Sequence, residues 1–334
     1  MRRRTRRSPS VSRAGIPALA CVLALLSQGT PASEEPLEAA DAMAQHEQAG
    51  QDAAAAPDAP AQACEGHRET ETDPSYFTQL WELDKSTRRG RFTIAPHGSN
   101  YLLPFTYNFS PNEAAVRAAS PDKDLTRSEV TFQLSQKVKL WEDILDRPID
   151  AWFGYTQRSF WQLYNFQDSS PFRETNYEPE LILNFRTDYD ILGVQGRFLN
   201  IAINHQSNGQ SEPLSRSWNR IVGGAGWETG NLSFLLRGWY RIPEDDEDDD
   251  NPATEKYYGY GELWGYYSCK GHRFGIMLRN NLRARKNRGA VQLEWTIPLF
   301  DRVGLYAQYY HGFGESLLDY DHETKRVGIG MILR

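Results

Sequence analysis

Residues 199–207 read Leu199-Asn200-Ile201-Ala202-Ile203-Asn204-His205-Gln206-Ser207. Large apolar side chains fall on every second position, and the residues between them are small or polar. In an extended chain alternate side chains point to opposite faces, so this period of two describes a strand with one apolar face. The pattern recurs in Val130, Phe132 and Leu134, in Val291, Leu293, Trp295 and Ile297, and in Val327, Ile329, Met331 and Leu333.

Alternation alone fits a soluble sandwich as well as a membrane barrel. Three features select the barrel. Many segments reach ten residues or more, the length that a tilted strand needs to cross a bilayer. Tyr and Trp cluster near segment ends, as in Trp239-Tyr240, Tyr257-Tyr258 and Tyr309-Tyr310, which suits interface girdles. The chain also opens like an exported protein and carries no later apolar run long enough for a spanning helix. About twelve strands can be placed, the first over 91–108, the fourth over 178–189 and the last over 325–334. An even number closes an antiparallel barrel. The expected fold class is therefore all-β, a twelve-stranded antiparallel transmembrane β-barrel with a disordered N-terminal extension.

Three regions follow along the 334 residues. Residues 1–32 read as a signal peptide, with a basic stretch from Arg2 to Arg13, an apolar stretch from Ile16 to Leu26, and Thr30-Pro31-Ala32 for cleavage. A lipoprotein reading through Cys21 is weaker, because apolar residues continue past it. Residues 33–75 are mostly Ala, Glu, Gln, Asp and Pro, cannot form a core, and read as a disordered periplasmic extension. Residues 76–334 hold the barrel, entered through a short amphipathic turn over Tyr76 to Leu83. The leader holds six Arg and no acidic residue, so its removal leaves 31 basic against 44 acidic residues and a net charge of −13. Nucleic acid is an unsuitable partner for such a chain. Of the cysteines only Cys64 and Cys269 then remain, which permits an exported disulfide without requiring one. The acidic run Glu244 to Asp250 reads as a solvated loop.

The chemistry concentrates where the opening strand ends. His205 and Ser207 share the odd-numbered face with Leu199, Ile201 and Ile203. If that face meets lipid, imidazole and hydroxyl stand where Leu or Val belongs, an expensive placement that points to function. A serine hydroxyl becomes nucleophilic when an imidazole takes its proton, and the imidazole needs a third group to set its tautomer. A turn near Gly209 to Pro213 returns the chain so that Asn219 can sit opposite His205. A neutral amide in that role costs less to desolvate than an ionised acid. His46, His67, His97, His272, His311 and His322 show no metal-ligand spacing.

His205-Gln206-Ser207-Asn208-Gly209, followed by Pro213 and by Ser215-Arg216-Ser217-Trp218-Asn219-Arg220, resembles the signature of the outer-membrane phospholipase A family. Ser169-Ser170-Pro171-Phe172-Arg173-Glu174-Thr175-Asn176-Tyr177-Glu178-Pro179, Tyr155-Thr156-Gln157 and Gly314-Glu315-Ser316-Leu317 are similar to further blocks of it. The resemblance spans about residues 90 to 334. It implies a calcium-dependent phospholipase of the bacterial outer membrane, of A1, A2 and lysophospholipase type, facing the outer leaflet and active as a homodimer. It assigns Ser207 as nucleophile, His205 as base and Asn219 as orienting group, with the Gly209 N–H in the oxyanion hole. Calcium would be held by the Gln210 carbonyl, the Ser215 hydroxyl and Ser169 of the opposing barrel, with Gln157 in the contact between barrels. The chain departs from the family in having Gln at 210, where Arg is frequent, and Arg334 where a terminal aromatic is typical. The competing readings are a non-enzymatic pore, which needs neither His205 nor Ser207, and another lipid-modifying enzyme on a smaller barrel.

Overall fold

The computed structural model describes residues 75–334 except 120, 123, 246 and 248. The signal peptide expected over 1–32 and, apart from Ser75, the extension expected over 33–75 lie outside the described residues. Helix α1 (Tyr76–Trp81) precedes β1 (Ile94–Pro96) and β2 (Asn100–Asn108). Helix α2 (Glu113–Ala119) leads to β3 (Ser128–Trp141), β4 (Ile149–Trp161), β5 (Phe172–Ile191), β6 (Val194–Ser207), β7 (Ser217–Thr229) and β8 (Leu232–Arg241). After α3 (Thr254–Tyr258) come β9 (Gly261–Cys269), β10 (His272–Asn280), β11 (Gly289–Pro298), β12 (Val303–Phe313) and β13 (Glu323–Leu333).

Every neighbouring pair is antiparallel, and pairings of β13 with β2 and of β3 with both β2 and β4 close the ring. Strands β1 and β2 both pair with β3, Ile94 opposite Val138 and Tyr101 opposite Gln133. They are one wall strand interrupted at residues 97–99, so the barrel is twelve-stranded. The fourth strand is longer than its sequence suggests, because β5 begins at Phe172, before the alternation becomes regular.

Alternation sorts the side chains. On β6 Ile203 is 64% exposed while Asn204 is fully buried. Leu181, Leu293, Trp295, Ile329 and Met331 also face outward, and Asn184, Glu180, Gln292 and Arg326 face inward. This is the inverse of a soluble protein. Each such apolar side chain gains roughly 1.5–3 kcal/mol on leaving water, so the wall is stable against hydrocarbon, not against water. No helix of the described residues is long and apolar enough to cross a membrane. Of the adjacent aromatic pairs, Tyr240 faces outward as a girdle residue should, whereas Trp239, Tyr258 and Tyr310 are buried inside. The period of two sends one member of each strand pair inward.

The two ends differ. At one, three of the five hairpins close in two residues; Lys270 and Gly271 take positive φ of 50° and 77°, the turn whose twist matches the strands. At the other lie the long connections, including 162–171, 208–216 and 242–260, the arrangement of outer-membrane barrels, whose long loops are extracellular. At the short-turn end α1 enters the lumen. Phe77 and Trp81 lie one turn apart on it and pack on Phe198, their rings 5.3 and 5.2 Å away. The Phe77 N–H donates to Glu228 at 3.0 Å. Thus the amphipathic turn expected over Tyr76 to Leu83 is a helix that fills the barrel rather than leading up to it. Cys269 at the end of β9 is disulfide-bonded, which fits an oxidising compartment; Cys64 lies outside the described residues.

Candidate active site

Strands β6 and β7 run out of the wall at the long-loop end. Their register sets His205 opposite Asn219 and Ser207 opposite Ser217. His205 is exposed on the outer wall and Ser207 is half-buried beside it. His205 Nδ1 and Asn219 Oδ1 are 2.9 Å apart. An amide oxygen only accepts, so the imidazole carries its proton on Nδ1 and leaves Nε2 free to take one. Among the described residues no hydrogen bond joins Ser207 to His205. The amide's other end donates to Glu244 Oε1 at 2.9 Å.

The inward face of the same hairpin is a polar lattice. Arg220 donates to Asn204 at 2.9 Å and to Glu178 at 2.8 Å, and its guanidinium lies 4.0 Å from the Trp218 ring centroid. The Trp218 indole donates to Gln206 at 2.7 Å. These contacts hold the register that places the outward pair.

The turn after β6 is organised by Asn208. Its Oδ1 accepts from the Gln210 and Arg216 N–H groups at 3.3 and 3.0 Å, and its Nδ2 donates to the Leu214 carbonyl at 2.8 Å. Gly209 takes φ +64°, and a Cβ there would sit 3.2 Å from the Tyr177 ring. The positive φ favours glycine, and a larger residue would also press on the Tyr177 ring. Glu174 ties the separate sequence blocks together. Its Oε2 accepts from Asn208 at 3.3 Å and from the Gln210 side chain at 2.7 Å, while its Oε1 accepts from the Leu318 N–H at 3.1 Å. The Leu317 N–H donates to Asn176 at 3.0 Å.

The candidate calcium ligands are only partly assembled within one chain. Ser215 Oγ donates to Asp250 Oδ2 at 2.5 Å. A hydrogen bond with Asp250 also holds the Glu212 carboxyl above its ordinary value. Ser169 is exposed on the neighbouring 162–171 loop at φ +61°, and no hydrogen bond among the described residues links it to Gln210 or Ser215. Nor do any three His, Cys, Asp or Glu of the described residues gather as a ready metal site. Gln157, half-buried on the outward side of β4, accepts from the Tyr155 hydroxyl at 3.1 Å and donates to Ser159 at 3.2 Å.

The acidic run is only in part the solvated loop that its composition suggests: Asp245 and Glu247 are exposed, whereas Glu244, Asp249 and Asp250 are drawn in. Arg241, at the end of β8, is buried and draws it back, with Asp249 at 2.5 Å and Glu244 Oε2 at 3.5 Å. Asp250 reaches Ser215, and Asn251 accepts from the Ser217 N–H at 3.2 Å. A cationic residue followed within ten positions by a run of carboxylates is the signal that could have located these contacts.

A phospholipase A1 family model matches residues 77–333. The chain belongs to this family. A putative phospholipase A1 of Neisseria meningitidis is 39% identical over 266 residues, covering 76% of this chain and 68% of the relative. The outer membrane phospholipase A of Escherichia coli superposes with a TM-score of 0.71 at 37% identity, covering 78% of this chain and 97% of that one. The Salmonella typhi outer membrane phospholipase, solved as a dimer with bound calcium, gives 0.69 at 38% identity and covers 75% and 95%. The barrel is thus an outer-membrane phospholipid ester hydrolase, not a bare pore or an enzyme of a smaller barrel.

Proposed function

We propose that this phospholipase cleaves acyl esters of phospholipids and lysophospholipids with Ser207 as nucleophile, His205 as general base and Asn219 as orienting group, depends on calcium, and is active as a homodimer. The observation that carries this reading is the 2.9 Å contact between His205 Nδ1 and Asn219 Oδ1 on a lipid-facing wall beside Ser207. With Nδ1 engaged, Nε2 takes the serine proton as Oγ attacks the ester carbonyl. The same proton then passes to the leaving oxygen of the lysolipid, and water repeats the sequence to release the fatty acid. The Gly209 N–H is the oxyanion donor, aimed by its positive φ. A site on the outer wall meets the ester while the acyl chains stay in hydrocarbon.

The donor set near Ser215 suits a hard cation. The Ser215 hydroxyl, the Gln210 carbonyl and the Asp250 carboxylate are all oxygen ligands of the kind calcium takes. Asp250, which accepts from Ser215, also lies beside the Glu212 carboxyl, so carboxyl oxygens gather next to the two candidate ligands. Ser215 and Gln210 would hold the ion together with Ser169 of the partner subunit; bound there, it would supply positive charge for the oxyanion. The exposed position of Ser169 and the outward, half-buried Tyr155 and Gln157 favour completion of the site by a second barrel, and the Salmonella typhi relative was solved as a dimer with calcium.

Fatty-acid release by the purified protein in mixed micelles, with calcium and with chelator, tests this. We expect release with calcium, a loss on the order of 10²-fold in chelator, and crosslinked dimers only with calcium. Undiminished release in chelator would remove calcium from the scheme. No release in either condition from a folded barrel would remove the triad.

A further inference from the structure

We infer that Glu244 is a positioning residue of the catalytic row, fixing which end of the Asn219 amide faces His205. The inference rests on the triad reading above and extends it by one residue. His205, Asn219 and Glu244 lie in line across the outer wall, contributed by β6, β7 and the segment after β8. The Ile242 N–H donates to the Asn219 carbonyl at 2.8 Å, so the chain leaving β8 stays paired with β7 and brings Glu244 alongside Asn219. Glu244 Oε1 accepts from Asn219 Nδ2 at 2.9 Å. Its Oε2 has no hydrogen-bond partner and faces Arg241 at 3.5 Å. Arg241 is itself pinned by Asp249 at 2.5 Å and by the Asn251 carbonyl at 3.0 Å.

The chemistry gives this arrangement a purpose. The oxygen and nitrogen ends of an asparagine amide are nearly the same in size, so packing does not choose between them. In a triad that uses an amide the choice decides everything, because the flipped amide would donate toward His205 and stabilise the proton on Nε2, where the base must be empty. An ionised carboxylate only accepts. Placed on the far side of Asn219, it takes the NH₂ end and turns the oxygen to the imidazole. It also polarises the amide, strengthening its acceptance from the imidazolium formed in the transition state. The carboxylate that most triads set against histidine is thus present one residue further out, beside the Arg241 guanidinium, where its charge costs less to keep.

The test is a double-mutant cycle on the purified barrel in mixed micelles with calcium, with folding checked by heat-shifted gel mobility. Glu244→Gln should lower kcat about tenfold with KM unchanged, because glutamine can present either end to Asn219. In an Asn219→Ala background the same substitution should change nothing further. Equal losses in both backgrounds, or a change confined to KM, would assign Glu244 to the loop and overturn the inference. Asn219→Ala at full kcat would instead overturn the triad; Asn219→Ala impaired with Glu244→Gln unimpaired would overturn the role of Glu244 alone. Should the variant fail to fold, ¹⁵N imidazole shifts of the unsubstituted protein, assigned with His205→Asn, decide the matter. A neutral His205 protonated at Nδ1 supports the inference, and one protonated at Nε2 overturns it.

Discussion

The two faces of the β6–β7 hairpin are built from adjacent residues and obey opposite rules. Inside, Asn204, Gln206, Trp218 and Arg220 are joined to one another and to Glu178. Outside, His205 and Asn219 share a hydrogen bond at the end of a column of Leu and Ile whose surroundings are hydrocarbon. The lumenal polar groups of this hairpin are paired with one another because leaving one unpaired costs about 1–3 kcal/mol. Polar groups on the wall are sparse because each displaces an apolar side chain from lipid. Rigidity is therefore located inside and the proposed chemistry outside, and one backbone register serves both.

The comparison breaks most sharply at Ser207. Ser207→Ala should cut fatty-acid release on the order of 10⁴-fold or more and leave the urea midpoint in detergent unchanged, because the hydroxyl supports none of the lattice. A shifted midpoint would show that the outer face also carries stability. Arg220→Met tests the opposite face. It takes the cationic partner from Glu178 and the donor from Asn204 Oδ1, leaving only the hydrogen bond between those two, and we expect a loss of about 2–3 kcal/mol in urea unfolding, moderated by the adjoining lumen cavity of 230 Å³, which can admit water. Activity measured well below the new midpoint should fall far less than in Ser207→Ala; an equal fall would mean that the lattice takes part in the chemistry. Gly209→Ala is the mildest change, because it touches the junction between the faces. The strained φ and the crowding of Tyr177 should lower kcat roughly tenfold and stability by about 1 kcal/mol. A kcat at the level of the unsubstituted enzyme would show that aiming the residue 209 N–H does not depend on glycine.

Much of this was legible in the linear order. Period-two alternation located the wall strands because side-chain direction in a strand depends on position alone. His205 and Ser207 were assigned to one outward face by the same parity, and Asn219 followed from the turn residues that fold β7 back on β6. Contacts between distant segments were less accessible. The run from Glu244 to Asp250 has the composition of a solvated loop, yet buried Arg241 holds Glu244 and Asp249 against the hairpin. The Trp239 indole and the Tyr258 and Tyr310 rings look like girdle aromatics by sequence position but fill the lumen. The segment after Ser75 has the pattern of a surface turn, and only the open mouth of the barrel makes it a plug.

By itself the sequence determined the strand period, the inside-out polarity and the outward parity of His205 and Ser207, since these depend on local geometry that the chain repeats every two residues. The tertiary structure decided what lies beside Asn219, which carboxylates reach Ser215, and how Glu174 joins the 208–216 and 314–322 loops. Those neighbours are set by closure of the ring and by buried charges that must find partners across 25 to 144 residues of chain, and burial of this kind leaves no periodic trace.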